Sequence, residues 1–204
     1  MRKLVVCNIM SLDGYYEGPG KNVMDLFAYR FGDYPDDDSF DKYNAERLSA
    51  ADIMLVGHKS YEGFVSYWPT LADTADANPA ERQVSKYMNA VEKVVVSSSL
   101  PVKASNPWRD KTRVISPGES HNEIAKLKKQ DGKDIVIFAS RLLWNDLIAH
   151  GLVDELHLMI SPVILNDGTP IFTSDPKVSL NLLEARTWDK SGLALVRYKV
   201  FSKR

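Results

Sequence analysis

Short polar or cationic segments follow several of the apolar, β-branched runs in this sequence. Ala139-Ser140-Arg141-Leu142 comes directly after "IVIF". A strand that ends at Phe138 and a helix that begins near Arg141 would place free backbone N–H groups, and the positive end of the helix dipole, at the carboxyl edge of a sheet. Ser140 would add a hydroxyl there, and Arg141 a charge able to bind two phosphate oxygens. The turn therefore predicts a phosphate site, and a serine N-cap beside an exposed arginine explains it equally well.

A second turn of the same kind follows the run "IMLV". Gly57 stands at its end. Three polar residues then occupy another predicted helix start: His58, Lys59 and Ser60. A sugar phosphate could dock there, although His58 and Lys59 taken singly are typical of solvated surface positions. A third run, "KVVV", leads to Ser97 and Ser98, which could bind adenosine or a ribose phosphate, or simply form a turn. Two cationic turns on one sheet edge favour a dinucleotide as the ligand.

Charge balance and cysteine content narrow the class of partner. Lys and Arg number 26 and Asp and Glu number 27, so no overall field points to a nucleic acid or a membrane surface, and we expect a small-molecule partner. Cys7 is the single cysteine, which excludes an internal disulfide and fits a reducing cytoplasm. His121 and Glu123 match the H-x-E fragment of zinc deaminases, but such a site also needs paired cysteines. We therefore expect no metal site, no membrane span and a cytoplasmic location.

The spacing of apolar residues predicts an α/β fold. Five compact runs rich in Val, Ile and Leu are typical of buried strands: "LVVCNIM", "IMLVG", "KVVVSSS", "RVIS" and "IVIFA". Helical patterns separate them, so helices should cover both faces of a sheet. Two later runs, "ELHLMIS" and "LALVRYKVF", alternate polar with apolar residues, which predicts half-exposed, antiparallel strands. With 44% hydrophobic content, residues 1–204 suit one domain.

Sequence signals also mark the ends of helices. Asn78-Pro79 followed by Glu81 predicts an N-cap, a first-turn proline and an acidic first turn. Ser120 and Glu123 have the spacing of a capping box, in which each side chain binds a backbone N–H group of the helix start. Gly151 predicts the end of the helix that begins near residue 141.

Residues 19–39 interrupt the alternation of strands and helices. Glycine, proline and three consecutive aspartates surround several aromatic residues in this segment. The composition predicts a long loop insertion, either a packed surface excursion or a lid. We expect the aspartates at positions 36–38 to be solvated and to cap a helix that begins near Phe40.

Four segments carry a family resemblance: "SLDGY", "GHKSYE", "VVVSSSL" and "GLVDELHLMISPVILNDGTPIF". They resemble the dihydrofolate-reductase-like superfamily, in particular the branch that contains the reductase domain of the riboflavin-biosynthesis deaminase/reductase. The resemblance spans nearly the whole chain, and the last segment is its longest and most specific part. It implies a three-layer sandwich whose central, mostly parallel mixed sheet ends in antiparallel C-terminal strands, with helices on both faces. It also implies an NADPH-dependent reductase.

The resemblance assigns the polar turns to the cofactor. The implied NADPH-binding residues are Gly57, His58, Lys59, Ser60, Ser97, Ser98, Ala139, Ser140, Arg141 and Leu142. The cations favour NADPH over NADH, because a 2′-phosphate needs a cationic partner whereas a bare 2′-hydroxyl is usually met by a carboxylate. Ala139-Ser140 stands where the family usually has Gly-Gly or Gly-Ser, and Ile137 stands where the riboflavin reductase has a substrate-binding carboxylate.

Two aspartates are the implied catalytic residues. Asp13, in "SLDGYYEG", is the leading acid or orienting group on the nicotinamide side of the sheet, and hydrogen bonding within its own turn is the alternative. Asp41 is the rival, because its spacing before Gly57 resembles that of the substrate carboxylate in dihydrofolate reductases; its alternative is a first-turn helix acid. Tyr61 and Trp68 could wall a flat heterocyclic substrate, although aromatic residues at helical spacing are usually core.

The predicted reaction is hydride transfer from NADPH to a small polar heterocycle or a related C=N or C=O compound. The alternative within enzymes is the 5-amino-6-(5-phosphoribosylamino)uracil reductase of riboflavin biosynthesis. The alternative from another class is a non-catalytic nucleotide-binding protein. The family often pairs through C-terminal strands, so we expect a homodimer that uses the amphipathic segment "LALVRYKVF".

Overall fold

The computed structural model describes residues 1–32, 34–173 and 177–201. Its strands, numbered along the chain, are β1 Leu4–Ser11, β2 Tyr15–Glu17, β3 Ala51–Gly57, β4 Glu92–Val96, β5 Thr112–Ile115, β6 Asp134–Phe138, β7 Glu155–Ser161, β8 Thr169–Pro170, β9 Ser179–Thr187 and β10 Ala194–Phe201. Eight of these form the central sheet, in the order β5-β4-β3-β6-β1-β7-β10-β9. The short strands β2 and β8 pair with each other outside it.

The direction of the strands confirms the predicted mixed sheet. The ladders β5-β4, β4-β3, β3-β6, β6-β1 and β1-β7 are parallel, and β10 is antiparallel to both of its neighbours, β7 and β9. Parallel neighbours end at the same edge of a sheet, so the turns that follow β3 and β6 lie side by side.

Helices cover both faces of this sheet. The α-helices are α1 Ser39–Ser49, α2 His58–Leu71, α3 Pro79–Ala90, α4 Ser120–Lys129 and α5 Arg141–Ala149. Short 3₁₀ helices span Pro19–Lys21, Val23–Phe31, Arg109–Lys111 and Pro117–Glu119. Within the described ranges, none of these helices is both long and apolar enough to cross a membrane.

Alternation along the strands divides the core into two layers. Val5 and Cys7 of β1 pack with apolar residues of α1, α2 and α3 on one face. Leu4 and Val6 pack with residues of α4 and α5 on the other. This period of two is the strand pattern that a sheet covered on both faces requires, and it produces the predicted three layers.

The prediction that β7 is half-exposed is wrong. Its polar residues Glu155, His157 and Ser161 are 6%, 0% and 0% exposed, respectively. The Tyr43 hydroxyl lies 2.8 Å from His157 Nδ1, and His157 Nε2 lies 2.9 Å from Glu155. Both faces of β7 are covered, because Leu156 and Leu158 pack in the layer of α4 and α5 and Met159 packs beneath the 3₁₀ helix Val23–Phe31 and α1. The alternating polar residues are satisfied by buried hydrogen bonds.

The two predicted helix starts have different outcomes. Asn78 and Glu81 form a capping box at the start of α3, as the sequence predicts. The capping box predicted for Ser120 and Glu123 is wrong. The Ser120 hydroxyl donates to the carbonyl of Pro117 at 2.7 Å, and Glu123 pairs with the lysine three residues later. The preceding 3₁₀ turn already forms the entry to α4, so Ser120 lies inside the helix rather than at its cap.

The described residues of the segment 19–39 pack on the core. Leu26 and Tyr29, in the longer 3₁₀ helix, are 0% and 9% exposed and pack with residues of β1, β7 and β10. The Ser161 hydroxyl at the end of β7 donates to the carbonyl of Leu26 at 2.6 Å. We call this segment the roof, because it also covers a cavity described below.

The expectation that the aspartates at 36–38 are solvated is wrong for Asp37. Its carboxylate is 7% exposed and accepts hydrogen bonds from the Tyr29 hydroxyl (2.8 Å), the Ser39 backbone (2.9 Å) and the Ser191 hydroxyl (2.8 Å). Ser191 lies in the connection between β9 and β10. One buried carboxylate therefore joins the roof, the start of α1 and the C-terminal hairpin.

Candidate active site

The turns after β3 and β6 are bonded to each other. The Gly57 backbone N–H donates to the Ser140 hydroxyl at 3.0 Å, and the Ser140 backbone N–H donates to the Ser60 hydroxyl at 3.1 Å. Since β3 and β6 are neighbouring parallel strands, both turns emerge at the carboxyl edge of the sheet. The two segments that the sequence marked as phosphate sites therefore form one structure.

A cleft of about 500 Å³ opens over these turns. Seven of the predicted cofactor residues line it: Gly57, His58, Lys59, Ser60, Ser140, Arg141 and Leu142. Helices α2 and α5 both begin at the cleft, and in neither does the side chain of the N-cap residue accept a hydrogen bond from a first-turn N–H group. Their first-turn N–H groups and dipoles are thus available to an anion in the cleft. Lys21, from the roof, adds a further cation to the lining.

The turn at Ala139 and Ser140 has an unusual backbone. Both residues have positive φ, +48° and +51°, which is the left-handed region. A side chain there costs roughly 1–2 kcal/mol per residue, which is why glycine is the common choice. The backbone conformation is therefore one reason why large side chains are disfavoured at this turn.

Arg141 and Ser97 have partners within the protein. The Arg141 guanidinium donates to the carbonyls of Pro170 and Phe172, so it ties the end of β8 to the start of α5 while lining the cleft. The Ser97 hydroxyl accepts from two backbone N–H groups, at 3.1 and 2.9 Å, and lies 3.1 Å from His58 Nδ1. Ser97 thus shapes its own turn and is not among the residues that line the cleft, while the neighbouring Ser98 is exposed. Binding of adenosine by this pair stays a prediction.

A second, apolar cavity of about 180 Å³ lies beside the cleft. We call it the inner cavity. Its floor is the end of β1 and β6, including Cys7, Asn8 and Ala139, and helices α1, α2, α3 and the roof provide its walls. Tyr16 lines both the cleft and the inner cavity, and Ala139 and Ser140 stand on either side of the boundary. The two spaces are therefore adjacent parts of one site.

The predicted substrate residues separate in the structure. Trp68 lines the inner cavity. Tyr61 does not: it is 1% exposed, and its hydroxyl is bonded to Thr112 (2.9 Å) and Asn106 (3.0 Å) beside β5. The helical spacing could not distinguish these two aromatic residues, because both lie on α2 and both bury part of their rings.

Asp13 is held by a backbone turn. Its carboxylate accepts from the N–H groups of Leu165 (3.1 Å) and Asn166 (2.8 Å), and it is exposed. Hydrogen bonds from Ser11 and from these amides lower the pKa of Asp13 below its ordinary value. The carboxylate lines neither the cleft nor the inner cavity, so the contacts it makes are those of a residue that fixes the 163–168 connection. Its catalytic role stays a prediction.

Asp41 lies on the helix that walls the inner cavity, but on a neighbouring face. Phe40 and Asn44 line the cavity, whereas Asp41 lies 3.7 Å from Arg30 and is 7% exposed. Burial raises the pKa of Asp41 to about 6, although the Arg30 charge opposes this shift. Such a pKa suits a proton donor at neutral pH, but the side chain is not part of the cavity lining. Its catalytic role also stays a prediction.

Comparison with known proteins decides the family. A family model described as "RibD C-terminal domain" matches residues 2–193. The chain belongs to this family. The curated "Uncharacterized protein YyaP" of Bacillus subtilis (strain 168) is 28% identical over 202 residues, which cover 97% of this chain and 94% of that protein.

Solved structures agree with this family. A putative riboflavin biosynthesis protein from Shewanella sp. PV-4 matches with a TM-score of 0.71 and 17% identity, over 98% of this chain and 99% of that chain. Dihydrofolate reductase from Enterococcus faecalis, complexed with NADP(H), matches with a TM-score of 0.56 and 16% identity, over 98% and 97% of the two chains. The predicted superfamily, branch and fold class are confirmed. As a RibD C-terminal domain, the chain is a reductase of the dihydrofolate-reductase-like type.

The sequence analysis missed several residues of the RibD-type site. Asn8, Tyr16, Phe27 and Asn44 line the inner cavity, and none of them was a predicted site residue. A signal existed for Asn8, because a lone amide in the buried run "LVVCNIM" needs a polar partner or a ligand. No signal existed for the other three, because their approach to one cavity depends on how the roof and α1 pack.

Metal-ligating side chains come together outside the RibD-type site. His121 Nε2 lies 2.6 Å from Asp146, and His150 Nδ1 lies 3.3 Å from the same carboxylate. All three side chains are well exposed, where α4 begins and α5 ends. The prediction of no metal site took no account of this group, because His121 lies on a different helix and 25 residues before Asp146 in the sequence.

Proposed function

We propose that this RibD-type domain is an NADPH-dependent reductase that transfers a hydride to a C=N or C=O carbon of a small polar heterocycle. The supporting observation is that two helix N-termini without side-chain caps, together with basic side chains, converge on a cleft that adjoins an apolar cavity. Helix N-termini favour anionic groups, and an apolar cavity with a few polar groups suits a flat ring. Together they fit a dinucleotide and its ring substrate.

Gly57 supports the fit of the cofactor to the cleft. Its φ of −82° and ψ of 159° are open to any residue, so the backbone does not require glycine. A Cβ atom built at this position would have the Ser140 hydroxyl, at 3.9 Å, as its nearest neighbour, so packing does not require glycine either. The absence of a side chain leaves space at the end of β3, where the phosphates of the cofactor would approach the sheet.

The charged residues of the cleft determine which phosphates it would bind. The first-turn amides of α2 and α5 would hold the pyrophosphate, and Lys59 and Arg141 lie in those same first turns. Lys21 lines the same cleft from the roof. These three cations outnumber the lining carboxylate of Glu17, and this excess of positive charge favours NADPH, whose 2′-phosphate adds negative charge, over NADH. When bound, the nicotinamide supplies the hydride.

The protein's part in the reaction is orientation and exclusion of water. Tyr16 lies at the junction of the cleft and the inner cavity, where the two reactants would meet. Burial, and then the Glu17 charge, raise the pKa of Tyr16 to about 12, so its hydroxyl stays protonated and neutral. It can therefore donate a hydrogen bond to a ligand without adding a charge to the site.

Titration with NADPH tests the proposal. Energy transfer from tryptophan to bound nicotinamide should give saturable binding, with NADPH tighter than NADH. Lys59→Ala should weaken NADPH binding about tenfold or more, because it removes a cation from the cleft. Lys129→Ala, at the exposed end of α4, is the matched control and should bind as the parent does. No binding at millimolar cofactor would refute the proposal.

The reductase of the riboflavin pathway is the second candidate. Membership of the RibD C-terminal domain family and the likeness to a putative riboflavin biosynthesis protein favour it. Oxidation of NADPH should be followed with folates, pterins and 5-amino-6-(5-phosphoribosylamino)uracil. Turnover of the last compound alone would assign that activity, whereas cofactor binding without turnover of any compound would favour a non-catalytic nucleotide-binding protein.

The cellular setting and assembly are also proposals. Cys7 is buried and unpaired, and burial raises the pKa of its thiol, which suits a reducing compartment such as the cytoplasm. A homodimer through the C-terminal strands remains our expectation, and its test is given in the Discussion.

A further inference from the structure

The walls of the inner cavity are aromatic and uncharged. Phe27, Phe40, Phe64 and Trp68 contribute to its lining from three different elements. None of the described residues that line it is Asp, Glu, Lys, Arg or His, and burial raises the pKa of the lining thiol, Cys7. A charged group placed inside would lose its hydration without gaining an opposite charge. The cavity therefore suits a flat, neutral ring.

Asn44 brings an unpaired amide into this cavity. The residue is 9% exposed and lines the inner cavity from α1. Among the residues that the structure describes, none forms a hydrogen bond with the Asn44 side chain. Neither polar atom of this amide is fully enclosed by the protein, so both remain open to hydrogen bonds with water or with a ligand in the cavity. Asn8 differs, because its Nδ2 already donates to the carbonyl of Ala139 at 3.3 Å.

Asp41 and Arg30, which lie close to this wall of the cavity, are engaged with other groups outside it. Asp41, one turn earlier on α1, lies 3.7 Å from Arg30, and the Arg30 guanidinium stacks over Phe27 at 5.0 Å from the ring centroid. The carboxylate that the family resemblance suggested for substrate recognition is thus outside the cavity. An amide takes its place in the wall, so the recognition chemistry changes from a charged acceptor to a neutral donor and acceptor.

We infer that Asn44 recognises the amide edge of a neutral heterocyclic substrate. An amide edge is a ring C=O next to a ring N–H, and a carboxamide side chain pairs with it through one accepted and one donated hydrogen bond. The aromatic walls contact the ring faces, and any phosphate or carboxylate of the substrate stays outside the inner cavity. This inference rests on the proposed reductase function, because it takes the inner cavity as the place where the substrate of that reaction binds.

The test compares two neutral bicyclic probes by calorimetric titration. Lumazine carries amide edges and quinoxaline, a ring system of similar size, carries none. The protein, titrated both without and with NADPH, should bind lumazine at least tenfold more tightly than quinoxaline, because only lumazine satisfies the Asn44 amide. Equal affinity for the two probes, or no affinity for either, would overturn the inference.

Two variants separate recognition from a packing role. Asn44→Leu keeps the volume and removes the amide, so it should lower lumazine affinity about tenfold or more and leave quinoxaline affinity unchanged or higher. Asn44→Asp replaces a donor by an acceptor, so it should move the preference towards 2,4-diaminopteridine, whose edge offers donors. Lys42→Gln, on the exposed part of the same helix, is the control and should keep the parent's preferences. A purely structural asparagine would weaken all three ligands together in both variants.

The outcome also distinguishes this inference from the proposed function. Binding of the probes needs no hydride transfer, so it can be measured whether or not NADPH is oxidised. NADPH binding with no change in probe preference in either variant would refute the role of Asn44 alone. Failure to bind NADPH, with the probe preferences intact, would refute the reductase proposal and leave Asn44 as the recognition group of a ring-binding site.

Discussion

Ala139 and Ser140 combine strain with a positioning role. Both have left-handed backbone conformations, and Ser140 also joins the turns after β3 and β6 through its amide and hydroxyl. The hydroxyl thus gives a reason for serine at position 140. No side-chain hydrogen bond is possible for Ala139, so at that position the left-handed conformation has a cost without a local benefit from the side chain.

Ala139→Gly should therefore stabilise the protein. Glycine removes the steric cost of positive φ and adds some entropy to the unfolded chain, and the net gain in the free energy of unfolding should be about 1 kcal/mol. Urea unfolding measures it. Ala125→Gly, within α4, is the control and should change stability by a similar amount in the opposite direction. A loss of stability in Ala139→Gly would contradict the strain.

Gly57→Ala should separate folding from binding. Since the backbone and the surroundings of Gly57 accept a methyl group, stability should be unchanged or slightly higher. The methyl group would occupy space at the floor of the cleft, so NADPH affinity should fall at least tenfold. Thermal unfolding and the energy-transfer titration give the two values. Unchanged affinity would mean that the cofactor does not approach the end of β3.

At the residue scale, part of the candidate site could be predicted from the sequence. The polar turns at 57–60 and 139–142 were predicted because small and cationic residues after β-branched runs are visible in one dimension. The positions of Asn44 and Tyr16 in the lining of the inner cavity were not predicted, because nothing in their local sequence differs from an ordinary helix or turn position. Their importance arises only when separate elements enclose the same cavity.

At the scale of elements, β7 shows why an alternation of polar and apolar residues led to a wrong prediction of half-exposure. An alternating strand usually has one face in water, yet His157 and Glu155 face a covered layer, where His157 bonds to both Glu155 and Tyr43. Burial lowers the pKa of His157 to about 4, although Glu155 opposes this. Burial alone would raise the pKa of Glu155, but hydrogen bonds from Lys3 and His157 lower it to about 2. Both groups therefore bind fewer protons in the folded state than in the unfolded state.

Stability should fall as the pH falls through this network. The unfolded chain takes up protons at its histidine below pH about 6.5, while folded His157 resists protonation until about pH 4. Stability from this group is thus fully present above about 6.5 and is lost towards 4, by at most about 3 kcal/mol. Glu155 extends the loss from about 4.5 towards 2.

His157→Gln should flatten the upper part of this pH dependence. Glutamine does not titrate, so the free energy of unfolding should fall less between pH 6.5 and 4 in the variant than in the parent protein. The remaining decrease should come from the other titrating groups. Urea unfolding at a series of pH values measures the slope, and unfolding at pH 8 reports any loss from altered packing. The same slope in both proteins would show that His157 does not carry the effect.

Elements that bury one clear stripe were predictable, and those that depend on tertiary partners were not. The start of α3 was predicted because Asn78 and Glu81 bond within a single turn. The start of α4 was not, since the 3₁₀ turn before it displaces Ser120 from the cap. The roof combines both cases, because its aromatic composition suggested packing but not which cavity it covers.

At the scale of the whole molecule, the β9 edge of the central sheet has no partner strand among the described residues. The segment expected to form the homodimer, β10, is paired on both edges, with β7 and β9, so the terminal strand beside it is β9. Leu180, Leu182 and Phe201 are 39%, 54% and 47% exposed on this pair of strands. An apolar edge strand with free backbone groups readily pairs with another strand, so this edge is where a homodimer should form.

Charges on this edge should prevent the dimer. The double variant Leu180→Lys, Leu182→Lys should sediment as a monomer at micromolar concentration, while the parent sediments as a dimer. Val114→Lys is the control, because Val114 is 36% exposed on β5, the opposite edge of the sheet. It should leave the dimer intact. A monomeric parent protein would refute the homodimer.

The buried carboxylate of Asp37 links distant parts of the molecule. It holds the roof through Tyr29 and the connection between β9 and β10 through Ser191. Hydrogen bonds of this one side chain thus link the roof over the inner cavity to the β9–β10 hairpin. A displacement of the roof would therefore be passed through Asp37 to that hairpin, so the two are expected to move together.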